Sequence, residues 1–246
     1  MKVLGVIPAR YGSSRFPGKP LIEIKGKSMI QRVYERSSQS KVLDDLVVAT
    51  DDERIFDAVK KFGGKAIMTS TDHQSGTDRC LEAMLKVKGE FDVVINIQGD
   101  EPFIDPTQIT DLANCFNDKE TDIATLVKRV HHAEGLFNPS MVKVVINNRD
   151  QAMYFSRSVI PYLHEVPKEQ WTEQYEFLEH VGIYGYTSKS LEKITTLPIS
   201  SLEVHEKLEQ LRWLENGFTI KVAYTNVESE PIDTQEDLER ILKRMD

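Results

Sequence analysis

The chain has 246 residues, 40% of them hydrophobic, which is enough to bury a core without cross-links as one large α/β domain or two small ones. Its formal charge of −8 argues against a nucleic-acid partner, because a surface that grips a polyphosphate polymer needs net basic character. Cys80 and Cys115 are its only cysteines; without Cys-x-x-Cys spacing they point away from a disulfide framework or a structural zinc site and fit a reducing cytoplasm. The opening apolar run is broken by Pro8 and followed by Arg10, too short for a signal-peptide core, and no later run approaches the ~20 apolar residues of a membrane span, so no membrane partner is expected.

In chain order, residues 3–7 read as a buried strand. The loop Pro8-Ala9-Arg10-Tyr11-Gly12-Ser13-Ser14-Arg15-Phe16-Pro17-Gly18-Lys19 follows directly and collects two arginines, a lysine, two glycines and two serines. Such a loop is either a solvated turn or a polyphosphate cradle, in which glycines bring N–H groups close to an anion and cations neutralise it. It is not a Walker A sequence, since Leu21 stands where the first glycine before Gly26-Lys27-Ser28 would be. Further apolar runs at 46–49, 66–68 and 93–97 alternate with amphipathic stretches at 29–40, 54–62 and 77–88. This alternation predicts a mostly parallel, Rossmann-like sheet with ligands collected at the carboxyl ends of its strands. Arg10, Asp51-Asp52 and Gln98-Gly99-Asp100-Glu101-Pro102 fall at those ends.

After about residue 124 the pattern changes. Residues 142–146, the turn Asn147-Asn148-Arg149-Asp150 and residues 152–155 predict an antiparallel β-hairpin, and 181–186 a further strand. Residues 202–217 read as one helix with Leu208, Leu211 and Leu214 on its buried side, 221–224 as a return strand, and 234–245 as a closing helix with Thr234 as N-cap and Asp237 at its third position. The expectation is a single domain over 1–246, with an antiparallel subregion at about 124–190 that serves substrate binding and self-association as a homodimer.

Asp100 follows the strongest central strand, where a carboxylate is a natural Mg²⁺ ligand, although an acidic turn ended by Pro102 has the same local appearance. Asp233, by its local sequence, is a turn acid beside a capped helix.

The opening loop, Asp72-His73-Gln74-Ser75-Gly76-Thr77-Asp78-Arg79, the 98–102 segment, Phe137-Asn138-Pro139, Tyr154-Phe155-Ser156-Arg157, His180-Val181-Gly182-Ile183-Tyr184-Gly185-Tyr186, Lys207-Leu208-Glu209-Gln210-Leu211-Arg212 and Ile232-Asp233-Thr234 share a further property. They come in the order seen in the 3-deoxy-manno-octulosonate (Kdo) cytidylyltransferases, the CMP-Kdo synthetases of lipopolysaccharide biosynthesis, and the chain resembles that family over essentially its whole length. The resemblance implies a cytoplasmic, Mg²⁺-dependent nucleotidyltransferase that joins CMP from CTP to Kdo. It places Ala9, Arg10, Ser13, Lys19, Ser75, Arg79 and Gln98 on the nucleotide, with Arg10, Lys19 and Asp100 as the catalytic group. Asp100 and Asp233 become the metal ligands, and Gln98, Arg157, His180, Tyr184, Glu209 and Gln210 the sugar contacts.

Three positions depart from the family pattern: Glu179 and Thr187 stand where basic residues are usual, and Gln235 where a proline commonly follows the aspartate-threonine pair. An acidic pocket margin would suit a sugar carrying an ammonium, so activation of an 8-amino-Kdo analogue is the first alternative, with sialate beside it. A nucleotide-sensing binding protein without turnover is the alternative of a different class.

Overall fold

Strand β1 (Val3–Ala9) is buried along nearly its whole length, as an unbroken apolar run in a parallel sheet covered on both faces requires. The computed structural model of the chain describes residues 1–12, 16–228 and 231–245. It divides into two compact units, Met1–Ala113 with Glu228–Asp246, and Asn114–Val227.

In the first unit β1 is followed by a small antiparallel ladder, β2 (Glu23–Ile24) with β3 (Lys27–Ser28), and by helix α1 (Met29–Ser37). Strand β4 (Asp45–Thr50), helix α2 (Glu53–Lys61), strand β5 (Ala66–Met68), helix α3 (Gly76–Lys86), strand β6 (Val93–Asn96) and helix α4 (Pro106–Asn114) continue it. The helices start where their sequences supply caps: Ser28, Asp52 and Ser75 accept from the amides of Gln31, Arg54 and Asp78. The strands run parallel in the order β6-β1-β4-β5. The chain thus builds outward from β1 through β4 and β5, then returns to the other side of β1 with β6. The crevice between the carboxyl ends of β1 and β6 is the switch point at which such sheets collect ligands.

The second unit, Asn114–Val227, carries antiparallel strand pairs. Strand β7 (Ile123–Arg129), helix α5 (Ala133–Leu136), the hairpin β8 (Lys143–Ile146) and β9 (Ala152–Ser156), helix α6 (Trp171–Gln174) and the long β10 (Leu178–Thr187) come first. Helices α7 (Ser188–Ile194), α8 (Ser201–Glu206) and α9 (Gln210–Glu215) and strand β11 (Ile220–Tyr224) complete it. Strand β10 pairs antiparallel with β7 and with β8, and β11 lies parallel to β7. Strand β7 was not singled out in the sequence, because its charged end, Lys128-Arg129, interrupts the apolar run.

The single helix predicted over 202–217 is two helices. A capping box of Ser200 and Glu203 starts α8, and Lys207 ends it with φ of 55°. Arg212 on α9 reaches back to Glu203 with two hydrogen bonds, of 2.6 and 2.7 Å, and so fixes the break. Leu208 and Leu211 are buried as expected, whereas Trp213 rather than Leu214 fills the core beside them.

The chain then returns to the first unit, ending in helix α10 (Gln235–Met245). Its predicted cap is present: Thr234 Oγ1 accepts from the Asp237 amide at 3.2 Å while Asp237 accepts from the Thr234 amide at 3.0 Å. Ile232, Leu238 and Ile241 pack against Ile24 and Met29. That cluster seats the C-terminal segment on the loop that follows β1.

Candidate active site

At the β1–β6 switch point a cavity of about 260 Å³ opens in the first unit. Its floor is backbone. Gly99 lies so close to β1 that a Cβ there would sit 2.8 Å from the Pro8 carbonyl oxygen, so only glycine lets the two strand ends meet. The loop after β1 closes through the Gly18 amide, which donates to the Tyr11 carbonyl at 3.0 Å, and Gly18 takes a φ of +73° to turn the chain toward Lys19.

Lys19 then projects into the cavity. Its ammonium lies 2.8 Å from Asp100 Oδ2 and 3.0 Å from Asp233 Oδ1. Burial works against this charge, but the two carboxylates outweigh it and hold the Lys19 pKa above its ordinary value. Asp233 is drawn to this place by its neighbour: the Ile232 amide donates to the Asp100 carbonyl at 3.0 Å. Among the described residues no group of three or more metal-ligating side chains forms. Two carboxylates on one cavity nonetheless suit a divalent cation that completes its shell with phosphate oxygens and water, as Mg²⁺ does. The chemistry of the donor set therefore fits the implied metal.

Of the residues assigned to the nucleotide from the sequence, the cavity brings together Ala9, Arg10, Lys19, Ser75, Arg79 and Gln98. Ser13 lies outside the described residues. Ser75 caps α3, its hydroxyl accepting from the Asp78 amide at 3.1 Å. Arg79 is buried, and its guanidinium donates to Asp51 Oδ2 at 2.8 Å and to Thr69 Oγ1. The aspartate after β4 thus orients an arginine of the cavity wall, a link the sequence did not reveal.

His73 and Gln74 also line the cavity, although they entered the sequence reading only as part of a motif. His73 Nε2 hydrogen-bonds to Glu82, which also receives the Lys86 ammonium at 2.6 Å and the Ser70 amide at 2.8 Å. Burial opposes ionisation of Glu82, yet these donors hold its pKa down at about 2. The spacing of His73 and Glu82 across the start of α3 was the available signal.

Apart from Gln98, which lines the cavity of the first unit, the residues assigned to the sugar lie in the second unit. His180 and Tyr184 come from β10, which bulges between Val181 and Tyr184. Thr125 of β7 holds this bulge, its hydroxyl donating to the Ile183 carbonyl at 2.7 Å. That hydroxyl has one proton, so at 2.9 Å from His180 Nε2 it accepts the imidazole N–H. Burial pushes the His180 pKa down to about 3, so the ring is neutral near pH 7. It packs between Phe155 and Tyr184.

Burial raises the Tyr184 hydroxyl well above its ordinary pKa, with Tyr186 and Glu209 adding to the effect. Tyr184 Oη and Gln210 Nε2 are buried without a hydrogen-bond partner among the described residues. Orphaned buried polar atoms cost on the order of 1–3 kcal/mol each, a cost that a polar ligand removes.

Arg157, at the end of β9, directs its guanidinium to main-chain carbonyls. It donates to Glu206 at 2.7 Å, to Pro139 at 3.0 Å and to Lys207 at 3.4 Å. In this arrangement the fork clips the turn between α8 and α9, and one N–H remains on each terminal nitrogen. Beneath it Lys143, fully buried, donates to the carbonyls of Asn138, Met141 and Arg157 at 3.1, 2.6 and 2.6 Å. A lysine inside the apolar run 142–146 was the sequence signal, and the reading passed over it.

Glu179 shares its face of the sheet with Lys143. It lies opposite Lys128 on β7 and Lys143 on β8, and its carboxylate is 3.3 Å from the Lys128 ammonium.

A cytidylyltransferase family model matches residues 4–225. The 3-deoxy-manno-octulosonate cytidylyltransferase of Parabacteroides distasonis is 54% identical over 246 residues, covering 98% of this chain and 97% of that protein. The 8-amino-3,8-dideoxy-manno-octulosonate cytidylyltransferase of Shewanella putrefaciens is 49% identical, covering 100% of this chain and 99% of the relative. Among solved structures, a CMP:2-keto-3-deoxy-manno-octonic acid synthetase complexed with CTP superposes with a TM-score of 0.91 at 46% identity, over 100% of this chain and 98% of the other. A polar cavity at the switch point, two carboxylates on its lining and similarity along the whole chain lead to one assignment: the chain belongs to the cytidylyltransferase family.

Proposed function

We infer that the chain transfers CMP from CTP to the anomeric hydroxyl of Kdo and releases pyrophosphate, activating the sugar acid for lipopolysaccharide biosynthesis. The observation that carries this reading is the convergence of Arg10, Lys19, Asp100 and Asp233 on one cavity. The chain-long similarity to manno-octulosonate cytidylyltransferases supplies the substrate class.

In this reading the hydroxyl oxygen forms a bond to the α-phosphorus in line as the bond to pyrophosphate breaks, and the hydroxyl proton is lost to solvent. Arg10 and Lys19 neutralise the triphosphate, and Lys19 follows the charge that grows on the departing pyrophosphate. Ala9, Ser13, Ser75, Arg79 and Gln98 hold the nucleotide, and Asp51 keeps Arg79 in place. Asp100 and Asp233 hold Mg²⁺, which when bound neutralises phosphate charge and lowers the pKa of an attacking hydroxyl. No histidine base is needed, which agrees with a His180 that stays neutral. Gln98, His180, Tyr184, Glu209 and Gln210 hydrogen-bond the sugar, and the free N–H groups of Arg157 take its carboxylate.

We place the enzyme in the cytoplasm as a homodimer built on one nucleotidyltransferase domain. Exposed Met153, Tyr162 and Val204 on the second unit offer apolar area for a second copy. Among the described residues no helix is long and apolar enough to cross a membrane.

Pyrophosphate release measured across CTP and UTP, each with Kdo, its 8-amino analogue and sialate, tests the reading. Release with CTP and Kdo is expected. Preference for the amino sugar would support the second reading, which the Shewanella relatives favour. Tight CTP binding without release would make the chain a nucleotide sensor.

A further inference from the structure

We propose that Lys19 is the resident counter-ion of the Asp100–Asp233 pair, closing it to divalent cations until nucleotide draws the ammonium away, so that metal and CTP bind cooperatively. The inference rests on the reading of this cavity as the CTP and metal site.

One ammonium bridges both carboxylates, 2.8 Å from Asp100 Oδ2 and 3.0 Å from Asp233 Oδ1. A Mg²⁺ ion bound to the same oxygens would lie about 2.0–2.1 Å from them, in the space the ammonium fills. Two cations cannot share that point, because their repulsion grows as the inverse of their separation. No third carboxylate, histidine or cysteine joins the pair among the described residues to tip the competition toward a bare metal. The cation itself must move, and only its side chain is free to do so. The Lys19 backbone is fixed by its amide on the Phe16 carbonyl at 3.2 Å and by its own carbonyl receiving the Ile22 amide at 3.2 Å.

Arg10 lines the same cavity and forms no ion pair among the described residues, so it is the cation available to an arriving triphosphate. Once phosphate oxygens stand in the cavity they give the Lys19 ammonium a second anionic partner and supply the further oxygen ligands a metal needs. The carboxylates are then released to the metal. Linkage makes the effect reciprocal: the factor by which nucleotide tightens metal binding is the factor by which metal tightens nucleotide binding.

The test is Mn²⁺ binding followed by the electron paramagnetic resonance signal of the free ion. It is run with and without the non-hydrolysable α,β-methylene analogue of CTP, on wild type, Lys19→Met and Lys19→Gln. Without nucleotide, both variants should bind Mn²⁺ on the order of tenfold more tightly than wild type, within the usual range of site-to-site coupling, and the tightening caused by the analogue should be smaller in both. Equal nucleotide-free affinities in wild type and both variants would overturn the proposal. The double variant Asp100→Asn/Asp233→Asn separates this from failure of the site reading. If it binds Mn²⁺ as well as wild type in the presence of the analogue, the metal lies elsewhere and both fall. If it loses Mn²⁺ while Lys19→Met and Lys19→Gln match wild type, only the counter-ion role falls.

Discussion

The Ile232 amide donates to the carbonyl oxygen of Asp100 at 3.0 Å, joining the last segment of the chain to the end of β6. Ile232 is itself fully buried in the cluster of Ile24, Met29, Leu238 and Ile241, so Asp233 stands one residue beyond a fixed point. Its carboxylate is thereby held on the same ammonium as Asp100. The two aspartates act as one group although the sequence separates them widely.

On the proposed assignment to Mg²⁺, Asp100→Ala and Asp233→Ala should each lower turnover by on the order of 10²–10³ or more, since each would remove half of the anionic grip on the ion. Both side chains are partly exposed, so the fold should persist. Pyrophosphate release at limiting Mg²⁺, with a thermal melt as control, measures this. Wild-type activity in Asp233→Ala under those conditions contradicts the assignment.

His180 should make stability depend on pH. In the unfolded chain its imidazole takes a proton at about 6.5, in the folded chain only near 3. Between those values the unfolded state holds more protons. The contribution of neutral His180 is thus complete above 6.5 and declines as pH falls toward 3, by up to about 1.4 kcal/mol per pH unit. Urea unfolding of wild type and His180→Gln across this window should show the steeper decline in wild type. Parallel curves would mean that the ring is protonated as easily inside the protein as outside.

Lys143→Met keeps the bulk of the side chain and removes the donor for three part-buried carbonyls, those of Asn138, Met141 and Arg157. A loss of about 3 kcal/mol is expected from urea unfolding. Because the Arg157 carbonyl is one of the three, the KM for the sugar acid should rise while the KM for CTP stays near wild type. A rise confined to CTP would disconnect Lys143 from Arg157.

Glu179, the departure from the family pattern with the clearest chemical consequence, should not select the sugar. Its carboxylate already lies 3.3 Å from the Lys128 ammonium and opposite Lys143, so it has little attraction left for a substrate ammonium. Neighbouring residues of a strand face opposite sides, and His180 takes the side of Tyr184. The ratio of kcat/KM for Kdo and its 8-amino analogue should be the same, within about twofold, in wild type and Glu179→Gln; a tenfold change would restore Glu179 as the selector.

Periodicity and local chemistry were sufficient for the alternating strands and helices of the first unit, the hairpin 142–155 and the Thr234 cap, because each depends on residues within a few positions of one another. Arg10 and Lys19 were legible for the same reason: both follow β1 closely in the chain, and both line the cavity at its end. The break at Lys207 was not, since it depends on Arg212 folding back to Glu203, and a run of leucines at helical spacing reads the same with or without it.

What the sequence alone determined, then, was the order of elements, the parallel sheet with its antiparallel addition, and a cationic loop at the carboxyl end of β1. The tertiary structure decided which side chains share a charge. It brought Asp233 to Lys19 through the Ile232–Asp100 bond, gave Arg79 to Asp51, and turned the Arg157 fork onto backbone carbonyls. These pairings depend on the strand order β6-β1-β4-β5 and on where the last helix packs. Both are set by burial of apolar faces distant in the chain, and electrostatic interaction depends on separation in space rather than along the sequence.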